Sequence, residues 1–204
     1  MLYNTYYFML GGRSMPPKVR ITKEMIVDAA FQLARRKGFE KITAQSVAEE
    51  LGCSTQPIMS HYKKVEDLRT AVAEKADQYH SAYLVKINGE NPILETGLNY
   101  IRFAREERNL FRLLFQSGSF SGTSLWDSLD SPELQPLLEL LSREAGISLA
   151  DAGKAFKALF LVVHGYASMF ASNEMQYDEK EIKADLTLIF EGTVCSLKER
   201  NENV

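Results

Sequence analysis

The stretch from Thr43 to Tyr62, TAQSVAEELGCSTQPIMSHY, constrains the fold more than any other part of the chain. It reads as two short helices joined by a tight turn. Thr43 can cap the first helix, and Val47, Ala48 and Leu51 give it an apolar stripe. Gly52 follows, where a helix end favours a left-handed residue. Cys53 then reads as a small inward hydrophobe. Ser54 can cap the second helix, and Pro57 falls in its first turn, where a missing N–H removes nothing. Ile58 and Tyr62, four apart, form an inner face. Thr55, Gln56, Ser60 and His61 look outward, followed at once by Lys63 and Lys64. A solvated helix face is usually rich in Glu and Lys. This one is built from side chains that hydrogen-bond base edges and phosphates. The pattern is that of a helix-turn-helix.

Charge supports a nucleic-acid role only in its distribution. The whole chain carries −3, yet residues 15–69 hold ten Lys and Arg against seven Asp and Glu. Residues 70–204 hold thirteen against twenty. A basic head on an acidic body suits a protein that meets DNA at one end.

A helix over residues 23–37 is expected before this motif, capped by Thr22 and closed by Gly38, with Ile26, Ala29, Ala30, Leu33 and Ala34 on one face. Lys18 and Arg20 lie on a short arm placed to meet phosphates. Glu66 and Asp67 open a longer helix that continues to about Asn88 and joins head to body. Further helices are expected over 92–107, 109–116, 132–145, 148–171 and 178–200, with a Gly/Ser-rich loop at 117–131 carrying Phe120 and Trp126. No window alternates as a strand does, so the fold class is all-α.

The expected organisation is a disordered extension over 1–14, a helix-turn-helix domain over 15–68 and a helical ligand-binding and dimerisation domain over 69–204. No apolar run approaches the ~20 residues of a membrane span. Cys53 and Cys195 suggest a reduced cytoplasmic protein, and two Cys with three His give no metal-ligand spacing, so neither metal nor cofactor is expected. No phosphate-binding Gly loop, G-x-S-x-G or H-E-x-x-H points to an enzyme.

Residues 22–68 resemble the TetR family of bacterial transcriptional regulators. The resemblance rests on Lys37-Gly38-Phe39, Thr43, Val47-Ala48-x-x-Leu51-Gly52-Cys53-Ser54, Ile58, Tyr62 and Glu66-x-Leu68. Residues 160–169, FLVVHGYASM, resemble the subgroup with a Trp, His, Gly signature, with Phe160 standing where Trp would be. Two positions depart from the family pattern: Met59 replaces a Tyr that contacts the DNA backbone, and Val65 replaces a Lys that reaches a phosphate. The resemblance implies a homodimeric repressor whose last two long helices close the dimer and whose body holds a small-molecule pocket.

On this reading the DNA-contacting residues are Thr43, Gln45, Ser54, Thr55, Gln56, Pro57, Ser60, His61, Tyr62, Lys63 and Lys64. The apolar or aromatic effector would meet Phe103, Phe111, Phe115, Trp126, Phe160 and His164, an unusually aromatic set. His164 also admits a plainer reading, as a buried histidine bonded to a nearby carbonyl. An alternative to DNA binding is a TetR-like protein acting through a protein partner, which the departures at Met59 and Val65 keep open.

Overall fold

The computed structural model describes residues 20–87, 91–116 and 132–202. The expected extension over 1–14, Lys18 and the loop at 117–131 with Phe120 and Trp126 lie outside the described residues. The described elements are helical: α1 Lys23–Lys37, α2 Ala44–Glu50, α3 Thr55–His61, α4 Val65–Leu84, α5 Pro92–Glu106, α6 Arg108–Phe115, α7 Gln135–Ala145, α8 Leu149–Ser172 and α9 Glu179–Glu202, with short 3-10 turns at Phe39–Lys41 and Pro132–Leu134.

Local chemistry sets the head. Thr22 accepts from the Met25 amide to start α1. Thr43 and Ser46 cap α2 reciprocally, each side chain accepting from the other's backbone N–H. Gly52 takes φ +62, and the Cys53 amide donates back to the Ala48 carbonyl across 3.0 Å, closing α2 in a left-handed cap. The core of this head is Ile26, Ala30, Leu33, Ile42, Val47, Ile58 and Tyr62, all buried.

The linking helix α4 presents Leu68, Val72 and Ala76 to the head, chiefly to α1. It then enters the body against α5 and α6. It ends at Leu84, short of the expected Asn88. Buried Asn99 donates to the carbonyls of Leu84 (3.1 Å) and Lys86 (2.9 Å), holding the groups that further helix would have used. Arg102 in turn donates to Asn99 and pairs with Glu179 at the start of α9. A polar relay therefore runs from the end of α4 to the last helix.

In the body, α5 packs most extensively on α8, which also receives α7 and α9. Small residues on α8, Ala152, Ala155, Ala167 and Ala171, allow the close approach. By length and composition α8 is apolar enough to cross a membrane, contrary to the expectation that no such run exists. In the fold its buried face is part of the body core. Leu161 and Met169 on α8, with Leu188 and Ile189 on α9, remain exposed in the single chain, Leu188 by 69%. Cys195, expected at an apolar position, is exposed too.

Candidate functional site

Two separate sets of side chains carry chemistry. The first is the outer face of α3 and its surroundings. Ile58 and Tyr62 fasten α3 to the head, which turns Thr55, Gln56, Ser60 and His61 outward, all exposed. Gln45 is exposed on α2, where its amide donates to Glu49. Pro57 is half-buried in the first turn of α3, and its carbonyl accepts from the Ser60 hydroxyl across 2.8 Å. Ser54 has the extended backbone of an N-cap, but its side chain makes no cap hydrogen bond, unlike Thr43. Lys63 and Lys64 follow, exposed.

Tyr62 departs from the expected DNA-contacting set. It is only 4% exposed, its hydroxyl is buried without a partner, and burial raises its pKa. Its ring belongs to the head core, where Lys23 sits over it at 5.3 Å. His61 is outward but its Nε2 lies 3.2 Å from the Ile21 carbonyl, so it ties α3 to the segment before α1. Met59, 43% exposed, stands as an apolar side chain among these polar ones.

The second set is aromatic. Phe103, Phe111, Phe115, Phe160 and His164 do come together, brought in by α5, α6 and α8. Phe103 and Phe111 are fully buried, while Phe115, Phe160 and His164 are half-buried. Tyr100 sits at their centre, with ring centroids 5.3 Å from Phe115, 5.7 Å from Phe111 and 6.1 Å from Phe160. Its hydroxyl meets His164 Nδ1 at 2.9 Å. His164 is therefore bonded to a side chain and not to a backbone carbonyl, and burial lowers its pKa.

From α4 comes a residue that the sequence reading missed. His80 is 7% exposed and packs edge-on against Phe103 (4.8 Å), Phe115 (5.1 Å) and Tyr100 (5.5 Å). Its Nε2 is buried with no hydrogen-bond partner. Burial pulls its pKa down to about 4, so the ring is neutral near pH 7. The apolar period of α4 runs through Leu68, Val72 and Ala76, and His80 falls four residues after Ala76. That period was the available signal. A separate cavity of about 140 Å³ opens between α5, α8 and α9, lined by Ile93, Gly97, Leu159, Val163, Leu186 and Phe190 among others. Among the described residues no group of three or more His, Cys, Asp or Glu could hold a metal ion.

Residues 93–191 match the model of the tetracyclin repressor-like C-terminal domain. The chain is 21% identical over 196 residues to the uncharacterized HTH-type transcriptional regulator YobS of Bacillus subtilis (strain 168), covering 93% of this chain and 100% of that protein. A TetR variant from Acinetobacter baumannii AYE, solved in complex with minocycline, is 18% identical, with a TM-score of 0.49 over 88% of this chain and 97% of that one.

Proposed function

The chain belongs to the TetR family of bacterial transcriptional regulators, and within that family we propose that it is a ligand-responsive repressor. As a homodimer it binds a near-palindromic operator, and a small apolar or aromatic molecule releases it. The observation that carries this reading is the outward face of α3. Thr55, Gln56, Ser60 and His61 stand exposed above a buried Ile58 and Tyr62, with Lys63 and Lys64 alongside. A short helix fastened by its apolar side and offering hydrogen-bonding side chains on the other can enter a major groove. Thr43, Ser54, Ser60, Lys63 and Lys64 are assigned to phosphates, and Gln45, Thr55, Gln56 and His61 to base edges. Residues 15–68 would act as the reading domain and 69–204 as the ligand-binding and dimerisation domain.

The exposed apolar residues of α8 and α9 support assembly through those helices, since a second copy would cover them. The aromatic cluster around Tyr100 supports an effector site, because α4 contributes to it and also packs on the head. A ligand that prefers one position of α4 would shift the spacing of two heads only through its differential affinity.

A gel shift with the DNA upstream of the protein's own gene tests the reading. A retarded band that the unlabelled fragment competes away is expected. A second reading, action through a protein partner, is favoured by Met59, since an exposed thioether donates no hydrogen bond to a phosphate. Absence of any shift at low salt would favour it.

A further inference from the structure

The cavity between α5, α8 and α9 has no part in the function proposed above. Its walls are Ile93 and Leu94 of α5, Leu159 and Val163 of α8, and Leu186 and Phe190 of α9. Each of these is buried or half-buried. The volume is about 140 Å³. In proteins generally, a cavity of about 150 Å³ lined by Leu, Ile and Phe stays dry and admits one benzene. Water gains nothing from such walls, whereas an apolar occupant recovers the contacts that empty space forfeits.

Gly97 keeps that space open. It lies in the interior of α5 with a φ that is not positive, so the backbone itself does not call for glycine. Glycine in a helix interior destabilises it relative to alanine. A Cβ at Gly97 would meet Val163 Cγ2 at 3.3 Å and Leu186 Cδ1 at 3.7 Å. Both side chains are walls of the cavity, and Val163 could yield only by moving into it. An unfilled apolar space and a helix-interior glycine both cost stability. An occupant offsets both.

The mouth carries charge of one sign. Asn91, Thr187 and Glu191 complete the lining, and no described cation joins them. Glu191 is exposed and enters no ion pair among the described residues. The Thr187 hydroxyl donates to the Lys183 carbonyl across 2.8 Å, which leaves its lone pairs to accept. Thr187 and Glu191 stand four residues apart on one side of α9, and Ile189 lies on the opposite side. The mouth is therefore separate from the apolar side of α9 on which assembly is proposed.

We propose that this cavity is a second ligand site, for a small cationic amine. Its hydrocarbon part, about the size of one benzene ring, fills the space, and its ammonium group rests at the mouth beside Glu191 and Thr187. The site does not depend on the assignment of an effector to the aromatic cluster. Along α8, Leu159 and Val163 line the cavity, while Phe160 and His164, one residue further on, stack with each other in the cluster. The linking helix α4 contributes no described residue to the cavity.

Toluene, benzylamine and benzoate share one ring and differ in charge. Their binding to the full chain is measured by calorimetry, and located by the side-chain methyl signals that each shifts in NMR spectra. Toluene and benzylamine should move the methyl signals of Leu159, Val163 and Leu186. Benzylamine should bind about 10-fold more tightly than benzoate, and Glu191→Gln should weaken benzylamine about 2–5-fold while leaving toluene unchanged. Gly97→Ala should weaken toluene about 10-fold, because the added methyl crowds the space. Its melting temperature without ligand should match or exceed that of the wild type. Toluene that does not bind, that shifts other methyl signals and not these, or that binds Gly97→Ala as well as the wild type would overturn the site. Benzoate as tight as benzylamine, or an unchanged benzylamine affinity in Glu191→Gln, would overturn the amine class. The wild-type spectra decide the site even if a variant folds poorly. Operator binding enters none of these readouts, so failure here is distinct from failure of the DNA-binding function.

Discussion

Glu107, at the corner between α5 and α6, grips Arg35 in the last turn of α1 with both carboxylate oxygens; Arg35 Nε donates to one of them across 2.9 Å. The Asn109 amide adds a 2.8 Å bond to the Arg35 carbonyl. The helix-turn-helix head and the body are thus joined by a side-chain clamp as well as by α4. Glu107→Gln keeps the shape and removes the charge. It should lower stability by about 1–2 kcal/mol, discounted for partial exposure. In a cycle with Arg35→Ala, measured by urea unfolding, the double variant should lose less than the sum of the singles. Strict additivity would mean the clamp contributes nothing as a pair.

Asn99 holds the end of α4 through the carbonyls of Leu84 and Lys86. Asn99→Leu should cost about 1–3 kcal/mol, because the carbonyls of Leu84 and Lys86 lose their donor and Arg102 loses an acceptor. Hydrogen exchange should show added opening at the last turn of α4 before it shows it in α1. Uniform loss of protection throughout would contradict this placement.

The buried His80 makes a pH signature. Unfolded, the ring titrates near 6.5, and folded it is held to about 4. Between those values the unfolded state binds the extra proton. The His80 contribution is therefore intact above pH 6.5, erodes as pH falls toward 4 and levels off below. The total is about 3 kcal/mol. His80→Phe should lack this part of the slope, so the stability difference between wild type and variant should change by that amount across the window. Parallel curves from pH 7 to 4 would show that the ring is not held neutral.

On DNA, Gln56→Ala should cost about 1–3 kcal/mol and relax specificity at one position. Lys64→Ala should weaken all sequences alike and flatten the dependence on salt. Binding titrations against a randomised operator at two salt concentrations separate the two. Similar changes in specificity from both would undo the assignment of contacts.

Assembly through α8 and α9 predicts that Ile189→Glu yields monomers or insoluble protein, since that residue lies on the exposed apolar side of α9. Sedimentation of the unmodified chain should give a dimer. A well-folded monomer at micromolar concentration would rule the interface out.

What the sequence made legible was what neighbours along the chain decide. Thr22, Thr43, Gly38 and Gly52 set the ends of α1 and α2 through bonds three to five residues long, and these stand where the sequence placed them. The inward turn of Tyr62 was also present in its four-residue spacing from Ile58, although the family resemblance set it among the DNA contacts. What was not legible depends on distant partners. Nothing local says that Asn99 stops α4, that Tyr100 meets His164 sixty-four residues later, or that His80 faces three rings from α5 and α6. Of the residues expected to meet, Phe103, Phe111, Phe115, Phe160 and His164 lie in one aromatic cluster, while Trp126 is outside the described residues. The residue at their centre, Tyr100, could not be told from its neighbours by type alone.

The length of α4 has a consequence of its own. Its 20 residues form a rod of ~30 Å at ~1.5 Å per residue. Pivoted at one end, such a rod turns a tilt of ~5° into a displacement of ~2.6 Å at the other. Successive base pairs on a duplex are ~3.4 Å apart. If the protein reads DNA as a dimer, as proposed above, a rearrangement of a few degrees at the body end of α4 is enough to carry α3 most of one base step along the groove, and a partner tilting the opposite way would double the error between half-sites. Neither head needs to unfold or change shape. Losing register with the helical ladder is sufficient.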